Sequence, residues 1–386
     1  MLRRLQLRPA LFAVAMGVLG PVAVVMVWGA IRSAQSQPYR SDFAVYYGVS
    51  TIGLQYGFSH IYDEPYRLRV WNVLGTELDG PLQRYPIIQP PTTALATVPF
   101  ALLPIRPAYA IWMVLIIAAL LVGWWLGAPG GRWARPGHLV ALLALVPIGL
   151  GLYAGQLVYV VFAAVLAAWW LLRRDRQVAA GFVLLLILLK PQEAVLVPPV
   201  ILLLGYRRTF AVWAAGAVLA AIVATAIVGP AAVGAYASRL GEVVRNPRAW
   251  DVVSNMTLPG AVGGGTAGTV AEIAVAVVAL FAAWRRRADG LELPLAIALV
   301  GSLVMSPYVH EPDSVVLIAA AWLYLRTHVS PWVVAYLVAG YVAIDLGQTA
   351  AVGWGPLLAM TVAWLLAMAV LPQGLMRSPE PSAAAA

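Results

Sequence analysis

Hydrophobic residues in this chain come in long runs separated by short polar turns rich in arginine. As helices, runs of this length reach across a hydrocarbon layer of roughly 30 Å. They cover residues 9–31, 90–104, 107–127, 138–153, 156–172, 209–228, 267–284, 291–305, 313–326, 331–346 and 356–372. Residues 178–204 form two shorter apolar pieces broken at Lys190-Pro191. The pattern predicts an all-α polytopic membrane protein with about 10–13 spans. The first run outlasts the short apolar core of a signal peptide and reaches Trp28 without a small-x-small site, so a first spanning helix is expected.

Arginines set the expected orientation, because cytoplasmic turns collect Lys and Arg. Arg3, Arg4 and Arg8 precede the first run. Later runs end at Arg173, Arg174 and Arg176, at Arg207 and Arg208, at Arg285 to Arg287, at Arg326 and at Arg377. Only four of the 16 acids, Asp175, Asp289, Glu292 and Glu380, share that side. The opposite, extracytoplasmic side receives two polar segments, about 32–89 and 229–265, and three shorter turns. One run conflicts with this scheme. If 90–104 crossed fully, Arg132 and Arg135 would fall outside, so it is expected to be short, tilted or re-entrant.

Composition narrows the class. Of the 386 residues, 62% are hydrophobic and 11% are charged, against about 25% charged in soluble domains. Residues 1–377 read as one membrane domain and 378–386 as a disordered tail. There is no cysteine, which excludes disulfides and thiolate metal sites. The net charge of +9 lies in topology-setting turns and does not imply a nucleic-acid partner.

Candidate chemistry gathers on the extracytoplasmic side. Asp42, in SDFAVYYG, is placed either to act as a general base at a cavity mouth or to cap a following helix. Tyr46 and Tyr47, one turn later, suit substrate contact or an interfacial aromatic belt. Lys190 is the sole lysine and must snorkel, pair or meet an anion; Glu193 is an internal partner and a phosphate an external one. His310, in MSPYVHEPD, suits a phosphate or a sugar hydroxyl, while Glu311 and Asp313 fit either the acidic first turn of a helix or a weak metal site. Gln156 and Asn255 offer neutral amides to sugar hydroxyls, or simply cap helices. No P-loop, G-x-G-x-x-G, G-x-S-x-G or H-E-x-x-H motif occurs.

Several segments together carry a family resemblance. They are SDFAVYY at 41–47, IYDEP at 61–65, RYPIIQPP at 84–91, AGQLVYVVFAAVLAAWWLLRRDR at 154–176, AGFVLLLILLKPQ at 180–192, NMTLPG at 255–260 and MSPYVHEPD at 305–313. In order and spacing they resemble the polyprenol-phosphate-sugar-dependent glycosyltransferases of family 87, over about residues 35–330. That resemblance implies a GT-C-type helical bundle in a bacterial cytoplasmic membrane, with a catalytic first extracytoplasmic loop. It implies a polyprenyl-phosphate-sugar donor, most often mannose and alternatively arabinofuranose, and a glycolipid or lipoglycan acceptor. By the same likeness Asp42 is the base and Lys190, His310 and Arg84, with Arg40 as a further candidate, meet the donor phosphate. Tyr46, Tyr47, Tyr85, Gln156, Gln192, Asn255 and Glu311 are then expected at the substrate. Ile87 and Ile88 interrupt the family's Tyr-Pro element, and the spacing before His310 departs from its pattern. No cofactor is implied, and the absence of a D-x-D motif agrees with metal-independent transfer. The rival classes are a polysaccharide ligase or polymerase and a transporter of lipid-linked solutes. A transporter would call for a second broken helix matching the Lys190 hairpin, and none is apparent.

Overall fold

A computed structural model describes residues 2–82, 87–131, 134–246, 256–327 and 330–371, and these residues hold eighteen α-helices and no strand. Arg84, Tyr85, Asn255 and the tail lie outside the described residues. The chain is an all-α polytopic membrane protein.

The first helix, α1 (Leu2–Ser36), is followed by α2 (Asp42–Tyr56) and α3 (Glu64–Glu77). Two short helices, α4 (Pro91–Ala96) and α5 (Val98–Ala101), lead into α6 (Ile105–Gly127). Next come α7 (Ala134–Ala144), α8 (Val146–Ala154), α9 (Val158–Leu172), α10 (Gln177–Leu184), α11 (Val197–Leu203) and α12 (Arg207–Arg245). The last six are α13 (Leu258–Ala261), α14 (Gly265–Arg285), α15 (Glu292–Met305), α16 (Val315–Tyr324), α17 (Pro331–Leu346) and α18 (Gly355–Val370).

Not every apolar run forms one unbroken helix long enough to span. Among the described residues, α1 from Val14, α6, α12 and α14 are long and apolar enough, and the pair α7–α8, bent by 74°, makes a fifth. The other apolar helices are shorter, and α9 with its 15 residues reaches only about 22 Å at 1.5 Å per residue. Of these, α9 and α15 sit inside, whereas α17 keeps Val334, Val338 and Val342 exposed. Every residue of α15 from Leu293 to Val304 is buried, as expected of a helix that is apolar all round. It packs between α14 and α16, while α9 joins α16 to α6. The apolar faces of α1, α12 and α14 look outward, with Val24, Val218 and Val277 exposed.

The structure departs from the expected topology in two places and agrees with the expected interruption of 90–104 in a third. The segment 32–89 is largely helical, and α2 is buried from Phe43 to Ser50 because it is apolar on nearly every side. The run 90–104 breaks into α4 and α5 at Thr97-Val98-Pro99 and does not span. The turn holding Arg135 therefore joins the other arginines: its carbonyl accepts from Trp124 Nε1 at 2.8 Å near the end of α6, where Arg326 also binds. Finally, the segment from 229 is not a loop up to Arg245. Gly229, with φ +83, interrupts α12, and Pro230 restarts it, the first helical turn being where proline costs no hydrogen bond.

The bundle has two distinct poles. At one, Arg326 donates to the carbonyls of Gly127 and Ala128 at the end of α6, at 3.0 and 2.9 Å. Arg173 pairs with Glu292 at 2.6 Å, and buried Arg286 donates to the carbonyls of Met368, at 2.9 Å, and Leu371. The other pole holds the starts of α2, α9 and α16 and the break at Lys190.

Candidate active site

Asp42 is freed for chemistry by its neighbour. Ser41 is the N-cap of α2, its Oγ accepting from Ala44 N at 3.2 Å, so Asp42 takes the first helical position and its carboxylate turns elsewhere. It accepts from the side-chain amide of Gln156. Gln156 follows a glycine turn: Gly155, with φ +70, ends α8, and Gln156 N donates back to Gly151 O at 3.0 Å, a left-handed helix ending that strongly favours glycine. A Cβ at Gly155 would also lie 2.9 Å from Trp112 Nε1, which donates to the Gly155 carbonyl at 2.8 Å.

Lys190 is placed by a broken hairpin. Pro191 excludes the residue before it from helical backbone, and Lys190 sits at φ −150, ψ 70 between two 3-10 turns. The break frees carbonyls, and α4 supplies their partners. Thr92 and Thr93 donate to Leu188 O and Leu189 O at 3.1 and 2.8 Å. The non-spanning run 90–104 thus braces the Lys190 hairpin. The Lys190 ammonium contacts Asp313, lies 3.5 Å from Glu193 and reaches Gln156 Oε1 at 3.5 Å. Asp313 is fully buried, and its other oxygen accepts from His310 N at 2.7 Å. Asp313 does stand in the acidic first turn of a helix start, its carboxylate closing a capping box with His310, but it is buried and is also the principal partner of Lys190. Both oxygens of buried Glu193 lack a hydrogen-bond partner.

Asp42, Tyr46, Gln156, Lys190, Gln192 and His310 line one small cavity of about 40 Å³, with Ile88, Gln89, Pro90, Leu157, Leu189 and Tyr308. The second part of α12 closes one side, where Val243 and Leu240 pack on Ile88 and Tyr308 and Arg239 donates to Tyr62 O. Three candidates lie elsewhere, exposed Arg40 among them. Tyr47 points away, its hydroxyl donating to Leu103 O at 2.7 Å, and Glu311 is partly exposed outside the lining. Gln89 and Tyr308 are the lining residues that sequence reading passed over; Gln89 Oε1 is buried without a hydrogen-bond partner. The position of Gln89 directly before Pro90-Pro91 was the available signal.

The environment tunes two of these groups. Burial, opposed by Lys190 and reinforced by Asp313 and Glu311, pushes the Asp42 carboxyl up to about 7. A carboxylate at that value both accepts and releases a proton near neutrality. Burial, with Lys190 nearby, pushes His310 down to about 4 despite Asp313, so at neutral pH its imidazole is a hydrogen-bonding group rather than a cation. Among the described residues no three His, Asp or Glu side chains gather as a metal-holding group.

The family model for glycosyltransferase family 87 matches residues 88–307, more than half of the chain. The chain belongs to glycosyltransferase family 87. It is a membrane glycosyltransferase. No curated protein and no solved structure matches it. The family 87 match contains Gln156, Lys190 and Gln192, while His310 lies three residues past its end and Asp42 46 residues before its start. The cavity joins those two flanking segments to the matched core of the family 87 chain.

Proposed function

We propose that this enzyme transfers mannose from a polyprenyl-monophosphate donor to a glycolipid or lipoglycan at the extracytoplasmic face. The observation that carries this reading is the meeting of Asp42, Lys190 and His310 in one cavity from three distant parts of the chain. Asp42 takes the proton of the acceptor hydroxyl as that oxygen bonds to the anomeric carbon from the face opposite the phosphate. The bond from the anomeric carbon to the phosphate oxygen breaks, and its electron pair leaves with the polyprenyl phosphate, inverting the centre. Lys190 supplies positive charge to that departing oxygen, and neutral His310 a hydrogen bond. The extracytoplasmic placement is supported by the gathering of Arg173, Arg286 and Arg326 at the opposite pole.

The test is transfer from radiolabelled polyprenyl-phosphate-mannose by the purified full-length protein to a panel of glycolipid acceptors, alongside a polyprenyl-phosphate-arabinofuranose donor. Asp42→Asn is expected to lower turnover by about 10²–10⁴-fold, the usual worth of a general base. Near-full turnover of folded Asp42→Asn would remove Asp42 from that role. Activity is expected to persist in excess chelator; loss restored by a divalent ion would overturn the metal-independent scheme.

A further inference from the structure

Asp42 and Lys190 carry opposite charges and line the same cavity, yet they are not an ion pair. Gln156 stands between them: its Nε2 donates to Asp42 and its Oε1 faces the Lys190 ammonium at 3.5 Å. A primary amide has donors at one end and an acceptor at the other, so this orientation satisfies a carboxylate and an ammonium at once. Lys190 finds its charge partners on the far side, in Asp313 and Glu193.

We propose that Gln156 is a neutral spacer that keeps the Asp42 carboxylate and the Lys190 ammonium from closing into an ion pair. The spacing leaves the carboxylate free to take a proton and the ammonium free to meet an anion. Gln156 is then a positioning residue, and substrate contact is not its main task. This inference rests on the proposed reading of Asp42 as base, but the spacing itself can be tested without substrate. The fold supports it, because Gln156 is almost fully buried and fixed by the Gly155 turn. The charged and titratable groups around Asp42 are Lys190 from the hairpin, Glu311, Asp313 and His310 before α16, Tyr46 on α2 and Tyr153 on α8.

The experiment follows the titration of the Asp42 carboxyl in the purified full-length protein by isotope-edited infrared spectroscopy, with Asp42→Asn as the blank. In Gln156→Ala the pair closes, and the midpoint is expected to move down by about 1–3 pH units, the effect of an opposite charge in contact. In Gln156→Glu, which keeps the size of the side chain, a like charge faces Asp42 and the midpoint moves up. A shift in opposite directions is not what loss of packing alone produces. An unmoved midpoint in both variants would overturn the spacer. The acid limb of the transfer rate should move in the same order, with kcat falling more than KM rises. If the titrations move as expected while the wild-type protein transfers no sugar from polyprenyl phosphate, the functional reading falls and the spacer stands.

Discussion

Above pH 7 the Asp42 carboxylate is charged in surroundings that favour its protonated form, with opposite consequences for rate and stability. Only the deprotonated group accepts a proton, so turnover is expected to rise as pH increases through about 7. Stability runs the other way. The folded carboxyl binds its proton more tightly than the unfolded one, whose ordinary value is 3.8. The folded state is therefore favoured below that value and loses this advantage as pH rises through about 7. Asp42→Asn removes the charge, so its unfolding temperature at pH 8 should equal or exceed that of the wild type, while at pH 4 the difference should vanish. If Asp42 were chiefly a structural cap, the same variant would instead lower the unfolding temperature at both pH values. The sequence leaves these two roles open because serine and aspartate are adjacent and either can cap. Only the structure shows Ser41 making the capping bond.

Among the elements, the Lys190 hairpin was legible as a break, since proline after lysine in an apolar run has no other consequence. What braces it was not. Thr92 and Thr93 lie 96 residues from the carbonyls they serve, and a local pattern carries no information about such partners. The double variant Thr92→Val/Thr93→Val should leave two buried carbonyls unsatisfied, at about 1–3 kcal/mol each. It should lower the unfolding temperature and raise the donor KM as Lys190 shifts. Gly155→Ala tests the other support. A left-handed backbone costs a side-chain-bearing residue about 1–2 kcal/mol, and the added Cβ meets Trp112, so Gln156 should move and turnover should fall. Asp313 escaped sequence reading for the same reason as the threonines. Acids beside a proline read as a helix start, and the partner of Asp313 lies 123 residues away.

For the whole molecule, the all-α membrane class was legible directly in hydropathy, but which apolar runs form long unbroken helices was not. Apolar runs identify what is buried without distinguishing lipid from protein interior. Helices such as α15 are apolar because other helices surround them. Sidedness is open to direct measurement, because the chain has no cysteine to remove. With single cysteines at Thr76 and Ala288, both exposed and near opposite poles, an impermeant maleimide on intact cells should label Thr76→Cys. Ala288→Cys should react only after permeabilisation, and the reverse result would invert the orientation. Arg326→Lys keeps the charge but loses the guanidinium whose Nη2 reaches both carbonyls. It should retain the same labelling pattern while costing roughly 1–2 kcal/mol of stability. On the proposed orientation, Arg173, Arg286 and Arg326 act at two moments in the life of the protein. During biosynthesis they bias which way each hairpin threads, and once the helices have assembled they tie neighbouring chain ends together. A neutral substitution at any of them would be felt twice, first as misinserted chains and then as a looser bundle among those inserted correctly.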